Sequence, residues 1–320
     1  MHACIDLGSN SFHLLIGEWN NGKIKIIERL SEKVQLGENV RANGIISPAA
    51  FTRGLSCLHR FKALMQAYPL EQYWALGTNT FRVTANANDF LAAATDIGID
   101  ISIISGVQEA VLIYAGVITS LPESDARRLV IDVGGGSTEV IVGRGHERFF
   151  TESLPIGSVA WRDRFFADCE KKKSALKEQL ELGLQASKEL FDKVGPGITK
   201  IGWDEAYASS GTMKMLANIC TEHGYGEGVI SRQALTELKS TLVSAIAKDK
   251  LLPGLKESRR DLLLPGWCVL LGLMESYDVD EIQFSATALR EGMLDFMVKN
   301  AKTMAAMQES DLPDVVSAKD

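Results

Sequence analysis

The chain has no excess of positive charge, no hydrophobic run long enough to span a bilayer, and no clustering of its few cysteines and histidines. Each lack excludes a class of function. The 34 Lys and Arg are outnumbered by 41 Asp and Glu, for a formal net charge of −7. General nucleic-acid binding needs a basic surface, so this balance argues against it, while leaving room for a local basic pocket for a polyanion. The five cysteines (Cys4, Cys57, Cys169, Cys220, Cys268) are scattered, odd in number and free of CxxC spacing. They read as reduced packing residues of a cytoplasmic protein, not as a disulfide frame or a zinc site. The five histidines are equally dispersed and suggest no metal-ligand cluster. The longest apolar run, 262–274, is interrupted by Pro265 and is too short to cross a membrane. The first residues run straight into a strand containing Asp6, so no signal peptide is expected. What remains is the composition of an ordinary globular protein, 46% hydrophobic and 23% charged, at a length of 320 residues that makes two domains the default.

Against this background one phrase stands out because it occurs twice. Residues 5–11 read I-D-L-G-S-N-S and residues 131–137 read I-D-V-G-G-G-S. Each begins as an apolar strand and ends in small, polar residues. An Asp at a strand end can hold a hydrated divalent metal, and the open backbone N–H groups of a Gly-rich turn can cradle phosphate oxygens. Asp and Gly dominate ordinary turns too, so one copy alone says little. Two copies in matching contexts say more, and the run of glycines at 134–136 costs backbone entropy that a close approach to the backbone would justify.

The surroundings of the two copies also match. After the first come a strand, the hairpin signal Asn21-Gly22 and a strand over 24–30; after the second come a strand over 139–142, the turn Arg144-Gly145 and a strand over 147–152. Ser47-Pro48 starts a helix, with Ser as N-cap and Pro at N1. Strands are expected at 73–76 and 101–104, and a helix over 108–118. The polar segment 121–128, with Pro122, is the candidate domain boundary. Beyond the second copy the pattern predicts a helix over 171–194, a short strand over 199–203, helices from Ser231 to 248 and over 262–277, a strand at 281–284 and a final helix over 289–306. The domains are therefore 1–123 and 124–306, with the last helix free to pack back on the first domain and a frayed tail over 307–320.

Two further residues bear on chemistry. Glu109 stands in the first turn of a helix, where a carboxylate complements the helix dipole or serves as a general base. Arg82 lies just past the loop Gly77-Thr78-Asn79-Thr80; beside a phosphate site a guanidinium is a natural clamp on phosphate oxygens. Glu139, directly after the second loop, is the alternative base. Arg290-Glu291 reads as a structural ion pair at a helix start.

With these residues in hand the chain resembles the exopolyphosphatase / guanosine pentaphosphate phosphohydrolase (Ppx/GppA) family, within the superfamily of actin, sugar kinases and heat-shock chaperone ATPases. The matching segments are IDLGSNSFHLLI at 5–16, GTNTFR at 77–82, SGVQEAVLIYAGV at 105–117, VIDVGGGSTE at 130–139, SLPIGSV at 153–159, SSGT at 209–212, LLPG at 263–266 and ALREG at 288–292. The resemblance implies an α/β fold of two ribonuclease H-like (actin-like ATPase) domains with an interdomain cleft. It implies release of terminal orthophosphate from polyphosphate, or of the 5′ γ-phosphate of pppGpp, the stringent-response nucleotide, with Mg²⁺ or another divalent cation. By matching position it makes Glu109 the catalytic base, with Glu139 assisting. The resemblance likewise implies that Asp132 and Asp6 hold the metal. Ser9, Asn10 and Ser11 bind phosphate on one side and Gly135, Gly136, Ser137 and Thr138 on the other, with Arg82 on the phosphate chain. Two departures are visible: Gln108 replaces the first Glu of a frequent Glu pair, leaving Glu109 as the surviving carboxylate, and Gln35 stands where Arg or His is frequent. The chain ends soon after ALREG, as expected of the short, two-domain form.

Two other classes compete. A kinase of the same superfamily would place a Gly-Gly turn under an adenine, and neither Ser209-Ser210-Gly211-Thr212 nor Ser285-Ala286-Thr287-Ala288 supplies it cleanly. A non-catalytic, actin-like nucleotide sensor would have no need of Glu109 and Arg82 together. Expected partners are thus a polyphosphate or pppGpp substrate, no nucleic acid and no membrane, with a homodimer as the base-rate assembly.

Overall fold

The computed structural model describes residues 1–20, 23–299 and 312–318, and divides into two compact units. In the first, β1 (His2–Leu7), β2 (Ser11–Asn20) and β3 (Lys23–Lys33) form an antiparallel meander. β4 (Gln72–Gly77) lies parallel to β1 on the opposite side, and β5 (Ile101–Ile103) parallel to β4. Parallel neighbours need long crossovers, and these run through the helices Pro48–Met65 and Ala87–Asp96. The first starts as its sequence predicts: Ser47 Oγ accepts from the Ala50 amide at 3.3 Å, and Pro48 opens the helix. β1 is buried on both faces, as an internal strand next to a parallel neighbour should be. Its core side chains meet Phe12, Phe61 and Phe90. The Asn21-Gly22 hairpin signal lies outside the described residues; on either side of it Asn20 pairs with Lys23.

The second unit repeats the order. β6 (Arg127–Val133), β7 (Thr138–Arg144) and β8 (Glu147–Leu154) form the meander. β9 (Glu205–Ser209) runs parallel to β6, β11 (Glu281–Phe284) parallel to β9, and β10 (Val229–Ser231) closes the edge antiparallel to β11. Both sheets thus share a layout, an antiparallel meander of three strands whose first strand is followed by two parallel ones, β4 and β5 in the first sheet and β9 and β11 in the second, which is the ribonuclease H-like arrangement; β10, which precedes β11 in the chain, is added at the edge of the second. The helix Leu263–Tyr277 is buried around almost its whole circumference, and Pro265 sits in its first turn, where no intrahelical donor is lost. Trp267 on it donates to Leu235 O at 2.8 Å, so even this core aromatic has its N–H satisfied.

One expected strand is wrong. Residues 195–201 form the helix Gly195–Ile201, not a strand over 199–203. Pro196 initiates it and Gly202, at φ 69°, ends it. The segment that pairs with β6 begins only at Glu205, opposite Arg128.

The chain then returns to the first unit, as the expectation for the last helix allows: the second compact unit is Ser124–Ala286, and the segment from Thr287 groups with the first. The reason is steric. The helix Leu289–Met297 lies backbone to backbone against the helix Gly106–Ile118; a Cβ on Gly116 would run into the Ala288 carbonyl, and one on Gly292 into that of Leu112. Phe296 stacks on Trp74 at 5.0 Å. The tail is not frayed where it is described, because β12 (Val316–Ser317) pairs antiparallel with β4. The expected final helix, 289–306, ends at Met297, with 298–299 in a turn where Lys299 takes a φ of 52°, and 300–306 lie outside the described residues. Among the described residues no helix is long and apolar enough to cross a membrane.

Candidate active site

In the first unit the loop between β1 and β2 carries Ser9, Asn10 and Ser11, all buried. Ser9 Oγ accepts from Thr80 Oγ1 at 2.8 Å, which ties the loop to the one following β4. Asn10 Nδ2 donates to Ser11 Oγ at 3.2 Å, while its buried Oδ1 has no hydrogen-bond partner. The backbone is held from behind. Ser9 O accepts from Gly37 N at 2.8 Å, and Asn10 O from Val34 N and Gln35 N at 3.1 and 2.8 Å. In a trans peptide the N–H points opposite to the C=O. Fixing these carbonyls therefore turns the Asn10 and Ser11 amides away from residues 34–37. Asp6, half-buried, ends the strand leading into the loop, and its register partner on β2 is His13.

Glu109 and Arg82 meet nearby in the same unit. Ser105 and Gln108 form a reciprocal capping box at the start of the helix Gly106–Ile118: Gln108 N donates to Ser105 Oγ at 3.1 Å, and Ser105 N to Gln108 Oε1 at 2.7 Å. Gln108 is thereby turned back on the N-cap. Glu109, one residue on, is 8% exposed and accepts from Arg82 Nη1 at 2.9 Å. The same nitrogen donates to Ile104 O at 2.8 Å. Burial pushes the Glu109 carboxyl above the usual carboxylate range, and the Arg82 guanidinium opposes that rise without cancelling it.

The second unit carries a loop of the same kind. Gly134 N bonds to Ser137 O at 3.0 Å, closing the Gly-rich turn. Again the carbonyls are taken from behind: Gly134 O accepts from Ser158 N at 3.0 Å, and Gly135 O from Val159 N and Ala160 N at 2.9 and 3.0 Å. The Gly135 and Gly136 amides consequently face the other way. Gly157 permits this packing, since a Cβ there would come within 2.5 Å of Gly135 C and O. Thr138, fully buried, donates to Ile156 O at 2.6 Å. The carboxylates lie on the sheet itself. Ser209, Asp132, Glu139 and Ser153 are successive register partners across β9, β6, β7 and β8. Ser209 Oγ donates to Asp132 Oδ2 at 2.5 Å, and Ser153 Oγ to Glu139 Oε1 at 2.7 Å. Asp132 is half-buried and Glu139 is 1% exposed.

Within each unit the structure brings the expected residues together: Ser9, Asn10, Ser11, Arg82 and Glu109 around one group of loops, and Asp132 with Glu139 and residues 135–138 around another. The hydroxyl partners Thr80, Ser209 and Ser153 were not singled out from sequence; register over dozens of residues delivers them. Among the described residues no group of three His, Cys, Asp or Glu could hold a metal by itself. The donors at the end of β6 are all oxygen, which suits a hard cation such as Mg²⁺ that takes one or two carboxylates and completes its shell with water and phosphate.

Known proteins resemble this chain in sequence and in fold. The chain is 35% identical over 300 residues to a putative exopolyphosphatase of Haemophilus influenzae, covering 93% of this chain and 91% of that one. The crystal structure of an exopolyphosphatase from Cytophaga hutchinsonii superposes with a TM-score of 0.82 at 25% identity, covering 93% of this chain and 97% of that one. The Aquifex aeolicus Ppx/GppA family member gives 0.74 at 25% identity, covering 94% and 98%. Residues 15–301 match the Ppx/GppA phosphatase family as a whole, and the chain belongs to that family.

Proposed function

We propose that this protein is a Mg²⁺-dependent hydrolase that releases terminal orthophosphate from inorganic polyphosphate, with the 5′ γ-phosphate of pppGpp as a second substrate. The observation that carries the reading is Glu109, a buried carboxylate with a raised pKa, held against Arg82 beside a loop whose amides are turned outward. In the proposed reaction Glu109 orients a water and accepts its proton as the oxygen attacks the terminal phosphorus. The P–O bond to the next phosphate breaks, giving orthophosphate and a chain one unit shorter. Arg82 forks onto phosphate oxygens, and the outward amides near Asn10–Ser11 and Gly135–Gly136, with Ser9 and Ser137, hold the chain, while Thr138, whose hydroxyl donates to Ile156 O, steadies the turn. Asp132 and Asp6 are the proposed ligands of Mg²⁺, which when bound neutralises charge developing on the phosphoryl oxygens. Glu139, fixed by Ser153, assists at Asp132. A cytoplasmic location accords with the five unpaired cysteines.

The test is phosphate release from polyphosphates of graded length and from pppGpp, with Mg²⁺ and no acceptor. We expect Glu109→Gln to lower kcat by at least about 100-fold, the scale of a lost general base, while binding stays within a few-fold. A near-normal rate would transfer the role to Glu139. Turnover only with ATP and an acceptor would make the protein a kinase instead.

A further inference from the structure

We propose that Arg53, on the helix Pro48–Met65, is a positioning residue for the first phosphate loop, acting through residues 34–38 and through a chain of polarised peptide groups that ends at the Ser11 amide. The inference rests on the phosphate-binding role proposed for that loop.

The chain can be followed atom by atom. Arg53 Nε donates to Val34 O at 2.8 Å. The peptide unit that owns this carbonyl also owns the Gln35 N–H, which donates to Asn10 O at 2.8 Å. The peptide unit of that carbonyl owns the Ser11 N–H, turned to the opposite side. A guanidinium at one end thus feeds two aligned peptide dipoles, and hydrogen bonds in series polarise one another, by roughly 10–30% per bond. The result is a stronger donor at Ser11.

The segment in between needs a clamp. Gln35 and Asn39 have φ of 55° and 57°, the left-handed region that is costly for side chains with a Cβ. Gly37 sits so close to the loop that a Cβ there would come within 2.8 Å of Ser9 Cβ and 2.9 Å of Thr80 Oγ1. Arg53 grips both ends of this strained turn, with Nη2 3.2 Å from Glu38 Oε2 and 3.5 Å from Gln35 O. Lysine, a point charge on a flexible stem, cannot reproduce that planar fork. As a salt bridge the pair contributes little, because the Arg53 and Glu38 side chains are 41% and 39% exposed. Its effect on the fold should therefore be small and its effect on the loop large.

Three measurements on wild type, Arg53→Ala and Arg53→Lys test this. The first is hydrogen exchange at residues 9–11 and 34–37 in the free protein. The second is KM and kcat with polyphosphate, and the third is rescue of Arg53→Ala by millimolar guanidinium. We expect faster exchange confined to those two segments and KM raised on the order of tenfold in both variants. We also expect a smaller fall in kcat, an unchanged melting temperature, and partial recovery with guanidinium but not with ammonium. Unchanged exchange at 9–11 overturns the proposal, as does a KM within twofold of wild type. Accelerated exchange spread across the whole unit, with a lower melting temperature, would show a merely structural residue and also overturns it. If wild type itself does not act on polyphosphate, the function reading has failed, and the exchange measurement alone decides the brace.

Discussion

At the scale of single residues, the proposed roles of Glu109 and Arg82 predict the pH behaviour. A buried carboxyl prefers its neutral form, and a general base works only when ionised. Lowering the pH through a raised pKa therefore extinguishes activity earlier than an ordinary carboxylate would. We expect the acid limb of the kcat/KM profile to lie above the usual carboxylate range. Arg82 is the group that opposes the shift, so in Arg82→Ala the limb should move to still higher pH, on top of a large loss of rate. A limb unmoved by Arg82→Ala would mean that another group is being titrated. These two residues were legible in the sequence because each stands beside a phrase with chemical content: Arg82 after Gly77-Thr78-Asn79-Thr80, Glu109 in the first turn of a capped helix. Gln108 was legible only in part. Its replacement of a carboxylate, which leaves no base at that position, is plain in the sequence, but its engagement in the capping box of the helix is seen only in the structure.

At the scale of elements, strands with an apolar run and a flanking turn were placed well, since their period and punctuation are local. The segment 199–203 differs because Thr199, Ile201 and Trp203 alternate like a strand, while Pro196 and Gly202 bound a helix and override that alternation. That the last helix is free to pack back on the first domain is legible in the sequence, but which helix it meets there, and how closely, is not. Gly116 and Gly292 are each unremarkable in a helix, and only their meeting explains them. Replacing Gly116 by Ala tests that contact. Helix propensity alone would favour Ala by about 1 kcal/mol. The obstruction, however, is the Ala288 carbonyl, a backbone atom of a packed helix start that cannot swing aside as a side chain would. Overpacking of this kind costs roughly 1–3 kcal/mol or more, so the clash wins. We expect Gly116→Ala to lower the urea midpoint, by about 2 kcal/mol of net stability. At Gly145, where nothing lies within 4 Å, Ala meets no such obstruction and pays only for the φ of 53°. An unchanged midpoint for Gly116→Ala would show that the two helices part easily.

At the scale of the whole molecule, the internal duplication read from the two Asp-Gly phrases proves to be one of strand order, but the chain does not divide into two consecutive halves. The second unit is continuous, Ser124–Ala286, with all of β6–β11 and its own core around Leu129, Ile131, Trp161 and Trp267. The first is interrupted: Met1–Glu123 is completed by the segment from Thr287. A cut at the sequence-based boundary alone would therefore treat the two units unequally. Residues 124–286, expressed alone, keep every strand of their sheet and should give a single cooperative unfolding transition. Residues 1–123 lose the helix that fills the close approach at Gly116, the Phe296 ring stacked on Trp74, and the β12 pairing along β4. That strips buried backbone and aromatic surface at once, so this fragment should unfold without a cooperative transition or fail to accumulate as folded protein. Joining 1–123 to 287–320 through a short Gly/Ser linker restores all three contacts and should recover cooperative unfolding. Circular dichroism melts of the three fragments decide the matter. If 1–123 alone melts as sharply as the joined form, the returning helix is an accessory to the first unit and not part of what holds it together.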